Sequence, residues 1–305
     1  VTDRDGTDWD VAVVGGGIAG LTAARTAVAH GLRVTAFDQL APGGQLINLG
    51  EVAHYPGLPY KVTGPDLAGS LLEAAMTAGV EIGYGEVTGL TAGTPLTLET
   101  ADGTQTARAV VVATGLTPGR LDVPGAEAWA GRGLSECASC DGPLFAGQRV
   151  VVVGDDEWTA LEAAELAALA AHVSVLVPGE PRWSAGAAQR LSALGGVEVR
   201  VDVHVSGLAG DGVLTGVTLA DGGEVAATGV FAYTGKTPRS AFLDAAFGST
   251  ALSRSVSGCI DGDPATAVPG LFVAGDVRTG STPYLVGAAA DGLRAGLAAA
   301  AFLTR

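Results

Sequence analysis

An α/β protein with two three-layer domains is what the sequence predicts, and two stretches carry that prediction. Residues 10–20 read DVAVVGGGIAG: an apolar strand, Val11–Val14, runs into a glycine turn and then into a helical stretch ending near His30. Residues 148–179, QRVVVVGDDEWTALEAAELAALAAHVSVLVPG, repeat the order strand, turn, helix, strand. A strand that enters a helix through a tight turn and returns as a second strand is the unit of an open parallel sheet, so each stretch is Rossmann-like. The chain has 305 residues, enough for about two domains. Its 48% hydrophobic and 16% charged residues suit a folded globular chain, not a disordered one.

In the first unit the turn is G-x-G-x-x-G, formed by Gly15, Gly17 and Gly20. Such glycines permit a tight turn, close approach of a phosphate and close helix–strand packing. The next strand, RVTAFD, ends at Asp38, where an acid can bind ribose hydroxyls. Strand, glycines, helix, strand and acid in order point to a dinucleotide.

Charge and cysteines narrow the chemistry. The net charge is −15, with 32 acidic against 17 basic residues, which argues against nucleic acid and anionic membranes as partners. No apolar run of bilayer length is expected. The opening VTDRDGTDWD lacks the features of a secretory signal, and a cytoplasmic location is expected. Of three cysteines, Cys137 and Cys140 are spaced C-x-x-C and Cys259 stands apart. No further cysteine pair or nearby His completes a zinc set, so no metal is expected. In a cytosolic chain the pair points to redox chemistry. Cys259 reads as a buried strand residue. His30, His54, His172 and His204 read as surface or packing residues.

Further stretches resemble a known family. VPGLFVAGDV at 268–277 and VVVATG at 110–115 resemble segments of the pyridine nucleotide-disulfide oxidoreductases. PGGQL at 42–46, HYPG at 54–57 and CASCDG at 137–142 are similar to the low-molecular-weight thioredoxin reductases. The resemblance runs from about Asp10 to the C-terminus. It implies FAD held by Gly15, Gly17, Ile18, Ala19, Gly20, Asp38, Gly43, Gly44, Gln45, Asn48, Ala113, Thr114, Gly115, Gly275, Asp276, Tyr284 and Leu285. It also implies one domain inserted in the other. An FAD domain comprises 1–115 plus 236–305, and an NADPH-domain-like module, 116–235, carries the cysteines. By the same resemblance Cys140 faces the flavin as the charge-transfer thiolate, Cys137 attacks the substrate disulfide, and Asp141 is the acid–base group. His54 lies near the flavin without a chemical role. The implied partner is a thioredoxin-like protein or a small dithiol or disulfide, and the implied assembly a homodimer.

The second unit departs from the family. Its turn pattern is G-x-G-x-x-A; here Gly154 is followed by Asp156 at the second glycine and Thr159 at the alanine, with Trp158 at a small polar position. Asp155 and Glu157 add negative charge where a pyrophosphate would sit. In place of an H-R-R-x-x-x-R segment stands VPGEPRW, with Arg182 alone and out of register. The expectation is a retained fold with acids capping the helix and no use of NADPH. An R-Q-A segment is replaced by Pro283-Tyr284-Leu285; Tyr284 either covers the flavin, shapes a substrate pocket or simply packs. Four readings follow: a reductase fed by a donor such as ferredoxin, a dithiol oxidase passing electrons to oxygen, an NADPH-dependent reductase with an atypical site, or a non-catalytic flavin sensor. Asp141, where some oxidases have His, favours thioredoxin chemistry. The intact cysteine pair weighs against a sensor.

Overall fold

The computed structural model describes residues 6–49, 52, 55–58 and 62–304. The chain divides into two compact units, Val1–Thr117 with Thr237–Arg305, and Pro118–Lys236.

In the first unit five parallel strands lie in the order Glu81–Tyr84, Val34–Asp38, Trp9–Val14, Gly103–Val112, Leu271–Val273. The hairpin Val87–Thr91 and Leu96–Thr100 extends the sheet antiparallel from Gly103–Val112. Trp9–Val14 is central: Val11 pairs with Val34 on one side and Ala109 on the other. Both faces of this strand are covered, which is why it reads as an unbroken apolar run. Val11 and Val13 face one core with the helix Ile18–Ala29; Ala12 and Val14 face another with Leu243, Phe247 and Leu252.

The helix Gly64–Ala78 has explicit ends. Thr63 caps its start, accepting from the Asp66 N–H, Pro65 sits in the first turn, and Gly79 ends it in a left-handed conformation. The last helix, Leu285–Leu303, crosses Ile18–Ala29 at close range. A Cβ on Gly292 would run into the Ala19 carbonyl, and one on Gly296 would lie 2.6 Å from that of Ala23. Contrary to the sequence expectation, this 19-residue helix is long and apolar enough to cross a membrane. Its Ala288, Ala295 and Ala299 face the core of the unit, and Asp291 and Arg294 lie on it.

In the second unit five parallel strands run Val197–Val201, His172–Val177, Arg149–Gly154, Gly229–Tyr233, Leu134–Ser135. Side chains alternate along the central strand. Val150 and Val152 pack with the helices Glu157–Ala167 and Ala185–Ala193. Val151 and Val153 pack with an antiparallel meander, Val205–Gly210, Leu214–Leu219 and Glu224–Ala226. The third layer is therefore strands, not helices.

Candidate functional site

The glycine turn of the first unit sorts its glycines by cause. Gly15 has φ 109°, and a Cβ there would strike the Ala113 carbonyl. A Cβ at Gly20 would strike the Gly15 carbonyl. Gly17 differs: a Cβ there would come no closer than 3.8 Å to anything, the nearest atom being Gly44 Cα. Gly17 is also the N-cap of Ile18–Ala29 and offers no side chain to the first-turn N–H groups. An uncapped helix start whose glycine has no clashing neighbour suits a phosphate.

Other predicted residues gather around this turn. Asp38 Oδ2 accepts from Gly16 N–H at 2.9 Å and Oδ1 from Leu40 N–H at 3.2 Å, which fixes the carboxylate at its strand end. Gly43 N–H donates to Gly16 O at 2.8 Å, and Gly44 lies against Gly17. Asn48 ends the short helix Gly44–Asn48. Gly275, at φ 71°, is so close to Ala19 that a Cβ would lie 2.9 Å from the Ala19 methyl, and Asp276 follows it. Ala113, Thr114 and Gly115 continue the strand Gly103–Val112; Thr114 Oγ1 donates to Arg239 O, and Gly115 O accepts from Arg239 N–H at 3.0 Å. Gln45 Nε2 donates to Leu116 O at 3.3 Å. Tyr284 caps the last helix with its backbone only and is 55% exposed, and Leu285 is the first helical residue. His54 lies outside the described residues.

One lock beside this site escaped the sequence reading. Arg278 and Asp291, with side chains 10% and 7% exposed, form a two-point ion pair at 2.8 and 3.1 Å, and Ser281 Oγ donates to Asp291 Oδ2 at 2.8 Å. This ties the segment after Asp276 to the last helix. The signal was one acid in LVGAAADGLRAGLAAAAF. Cys259 is not in a strand, as expected from sequence, but half-buried in a loop. Its thiol faces Asp276 O at 3.7 Å, and it lines a cavity of about 230 Å³ with Ser255, Arg278 and Pro283.

The second unit holds the redox pair. Cys137 and Cys140 form a disulfide with Cα atoms 5.4 Å apart. Cys137 is the N-cap of the short helix Ala138–Asp141, and its Sγ accepts from Cys140 N–H at 3.2 Å. A peptide N–H aimed at Sγ favours a thiolate there. Asp141 Oδ2 accepts from Ser135 Oγ at 2.6 Å, and Ser135 Oγ accepts from Cys137 N–H at 3.1 Å. Below the helix lies a buried acid, Glu162. Its Oε2 accepts from Ala138 N–H at 2.9 Å and from Tyr233 Oη at 2.7 Å. Burial pushes the Glu162 carboxyl up from its ordinary value, against the two hydrogen bonds; Glu165 adds to the rise and Lys236 opposes it. Burial, then the Glu162 charge, push the Tyr233 hydroxyl up. Burial also raises Glu136, against the pull of Arg120. Sequence reasoning missed Ser135, Glu162 and Tyr233, because Glu162 meets Ala138 and Tyr233 from other elements of the chain and a lone serine carries no pattern to read.

The acidic turn of the same unit is filled by its own side chains. Asp156 caps Glu157–Ala167, its Oδ1 accepting from Thr159 N–H at 2.9 Å and Thr159 Oγ1 at 2.8 Å. Asp155 binds Arg182 at two points, 2.7 and 2.9 Å. Glu157 accepts from Ser184 N–H at 2.6 Å and Ser184 Oγ at 3.0 Å, with Arg190 at 3.8 Å. Only Asp156 is a cap; the other two acids hold the segment 182–184 against the turn. Trp158 carries Lys236 Nζ 4.5 Å over its ring.

Comparison with known proteins gives a concordant set. The model of the family "pyridine nucleotide-disulphide oxidoreductase" matches residues 9–292. A thioredoxin reductase of Treponema pallidum is 32% identical, with 97% of this chain and 98% of that protein covered. The crystal structure of Lactococcus lactis thioredoxin reductase has a TM-score of 0.89 at 29% identity, covering 97% of this chain and 99% of that one. A ferredoxin-flavin thioredoxin reductase from Clostridium acetobutylicum has a TM-score of 0.53 at 25% identity, covering 99% and 98%.

Proposed function

The chain belongs to the pyridine nucleotide-disulphide oxidoreductase family, and from that premise we propose a thioredoxin reductase-like enzyme whose electrons come from a donor other than NADPH. It is a flavin-dependent disulfide oxidoreductase with a Cys137–Cys140 pair. The carrying observation is the closed pair at a helix start, with Asp141 held by Ser135 beside it.

The first unit fits FAD: the bare glycine backbone at Gly17 before an uncapped helix suits the pyrophosphate, and Asp38 the ribose. Bound there, FAD supplies two-electron redox chemistry. The protein side of the exchange follows from the pair. Cys137, as a thiolate on the Cys140 N–H, attacks one sulfur of a thioredoxin-like disulfide. The substrate S–S bond breaks, and its leaving sulfur takes a proton, for which Asp141 is the proposed acid. Cys140 then attacks Cys137 Sγ, restoring the Cys137–Cys140 bond and freeing the second substrate sulfur.

Asp155–Arg182 and the Asp156 cap support a donor other than NADPH, because the groups that would meet a nucleotide already bind each other. The ferredoxin-flavin relative makes ferredoxin the leading donor. With a net charge of −15, docking an acidic ferredoxin needs a local basic patch. A cytoplasmic homodimer completes the reading. The test is to reduce the FAD-loaded protein with dithionite under anaerobic conditions, mix it with oxidised thioredoxin, and count thioredoxin thiols. We expect thiols with the natural chain and none with C137S; equal yields from both refute the exchange.

A further inference from the structure

Glu162 is a buried acid that the exchange described above leaves unused. It is 5% exposed, near the middle of Glu157–Ala167. Its two donors come from different elements: Ala138 N–H from the cysteine helix and Tyr233 Oη from the central sheet. Ala138 directly follows Cys137, so a single hydrogen bond joins this carboxyl to the Cys137–Ala138 peptide.

Two consequences follow. N–H groups at a helix start are what steady a sulfur anion. Here the Ala138 N–H is taken by Glu162, and Cys137 Sγ has the Cys140 N–H. Second, reduction of the pair brings negative charge next to a carboxyl that is already out of water. Cys137 is half-buried and Cys140 exposed, so a sulfur anion there keeps contact with water, and the desolvated carboxyl beside it is the group that takes a proton.

We propose that Glu162 is the proton-holding and positioning residue of the Cys137–Cys140 couple, taking up a proton when the disulfide is reduced and releasing it when the disulfide re-forms. This rests on the reading that the pair is redox-active. The step balances as follows. Two electrons from a reductant, such as an external dithiol, break the Cys137–Cys140 bond. One sulfur takes a proton from solvent and becomes a thiol. The other remains a thiolate. The Glu162 carboxylate takes the second proton on Oε1, while Oε2 keeps both of its donors.

The surroundings agree in direction. Burial favours the protonated acid, as does Glu165 on the next turn; Lys236 and the two donors oppose it. Tyr233 is held protonated and so donates in either state. Asp141 is bound to Ser135, and Glu136 faces Arg120. The coupling then operates in the pH window between the value of Glu162 beside the disulfide and its higher value beside the dithiol.

The test equilibrates the full FAD-loaded chain with reduced and oxidised dithiothreitol from acid to alkaline pH. The dithiol fraction is read by mass after alkylation. In the natural chain the window should show one extra proton per two electrons, an added tenfold change in equilibrium constant per pH unit, which is about 30 mV for this couple. E162Q should lose that added tenfold, and E162D should restore it. Y233F should keep it but move the window to higher pH, since a donor to the carboxylate is gone. Identical slopes in the natural chain and E162Q overturn the proposal. So does a pH-independent offset in both E162Q and Y233F, which would mark a merely structural role. If E162Q does not fold, Y233F decides, and an unmoved window overturns the idea. A pair that no excess of dithiothreitol reduces sinks this and the redox reading together. Because thioredoxin and the physiological donor play no part, failed thioredoxin exchange with a Glu162-dependent slope would sink only the proposed function.

Discussion

NADPH and NADH should fail to reduce the flavin at useful rates, and the structure indicates by how much. A pyrophosphate at the start of Glu157–Ala167 has to displace the Asp156 cap, worth about 1 kcal/mol. Asp156 makes no direct ion pair, since Arg182 is bound to Asp155 and feels the Asp156 charge only at longer range, so that charge repels an anion about 4 Å away by about 1 kcal/mol in water to about 4 kcal/mol at an effective dielectric of 20. Recruiting Arg182 means breaking its two-point contact with Asp155, an exposed pair worth at most about 1 kcal/mol. Together these weaken binding by about 2 to 6 kcal/mol, or roughly 30- to 10⁴-fold. The assay is anaerobic mixing with flavin absorbance followed in time. Dithiothreitol should bleach the flavin through Cys137 and Cys140, and neither nucleotide should do so quickly. The double variant D155G/D156G should remain slow with NADPH, because it frees only Arg182 and supplies no second cation for the 2′-phosphate. Fast bleaching of the natural chain at micromolar NADPH would refute the reasoning, and the function would revert to an NADPH-dependent reductase.

Three further outcomes are expected. G17A should lower FAD affinity about tenfold and move the urea midpoint of flavin-free protein far less than G20A, since the nearest neighbour of a Cβ at Gly17 is Gly44 Cα at 3.8 Å whereas a Cβ at Gly20 would strike the Gly15 carbonyl; equal midpoint losses would contradict this. D291A strips Arg278 of its buried partner and should cost about 3 to 5 kcal/mol in urea unfolding, with a smaller loss refuting the lock. E162Q should gain stability relative to the natural chain as pH rises. A carboxyl raised in the folded state contributes stability below its ordinary value of 4.5 and loses it as pH climbs through the folded value. Urea midpoints at acid and neutral pH read this, and a parallel offset at both would contradict it.

Elements with a periodic cause were legible in the sequence, and partner choices were not. The run VVVV at 150–153 announced a strand covered on both faces, and the alternation of Val150 and Val152 against Val151 and Val153 bears that out. The identity of the covering layer did not show, because a meander and a pair of helices place the same demand on that strand. The glycine contacts of Leu285–Leu303 with Ala19 and Ala23 did not show either, because they depend on a partner far away in the chain. Asp155, Asp156 and Glu157 read as three like charges at one helix start. Their fates diverge only in three dimensions: one caps, one holds Arg182 and one holds Ser184.

The helix Glu157–Ala167 connects these observations. Its start carries the acids that, on the reading proposed, replace a nucleotide. Its middle carries Glu162, one hydrogen bond from the residue after Cys137. If the nucleotide site was lost, the helix was not thereby free to drift, because its other face still supports the redox pair and packs Ala160, Ala163 and Leu166 on the central sheet. Asp156 then has a clear physical role. With no phosphate to satisfy the first-turn N–H groups, a side chain must do so, and an N-cap acid does it with a favourable charge at the positive end of the helix. Asp155 and Glu157, by tying down Arg182 and Ser184, hold the chain between strand His172–Val177 and helix Ala185–Ala193 against the same turn. The position of Glu162 under the cysteines is thus fixed from the helix start, and a D156A/D155A variant should disturb the thiol equilibrium of Cys137 and Cys140 even though neither acid touches them. The dithiothreitol titration reads this directly, and an unchanged equilibrium would show that the two ends of the helix are independent.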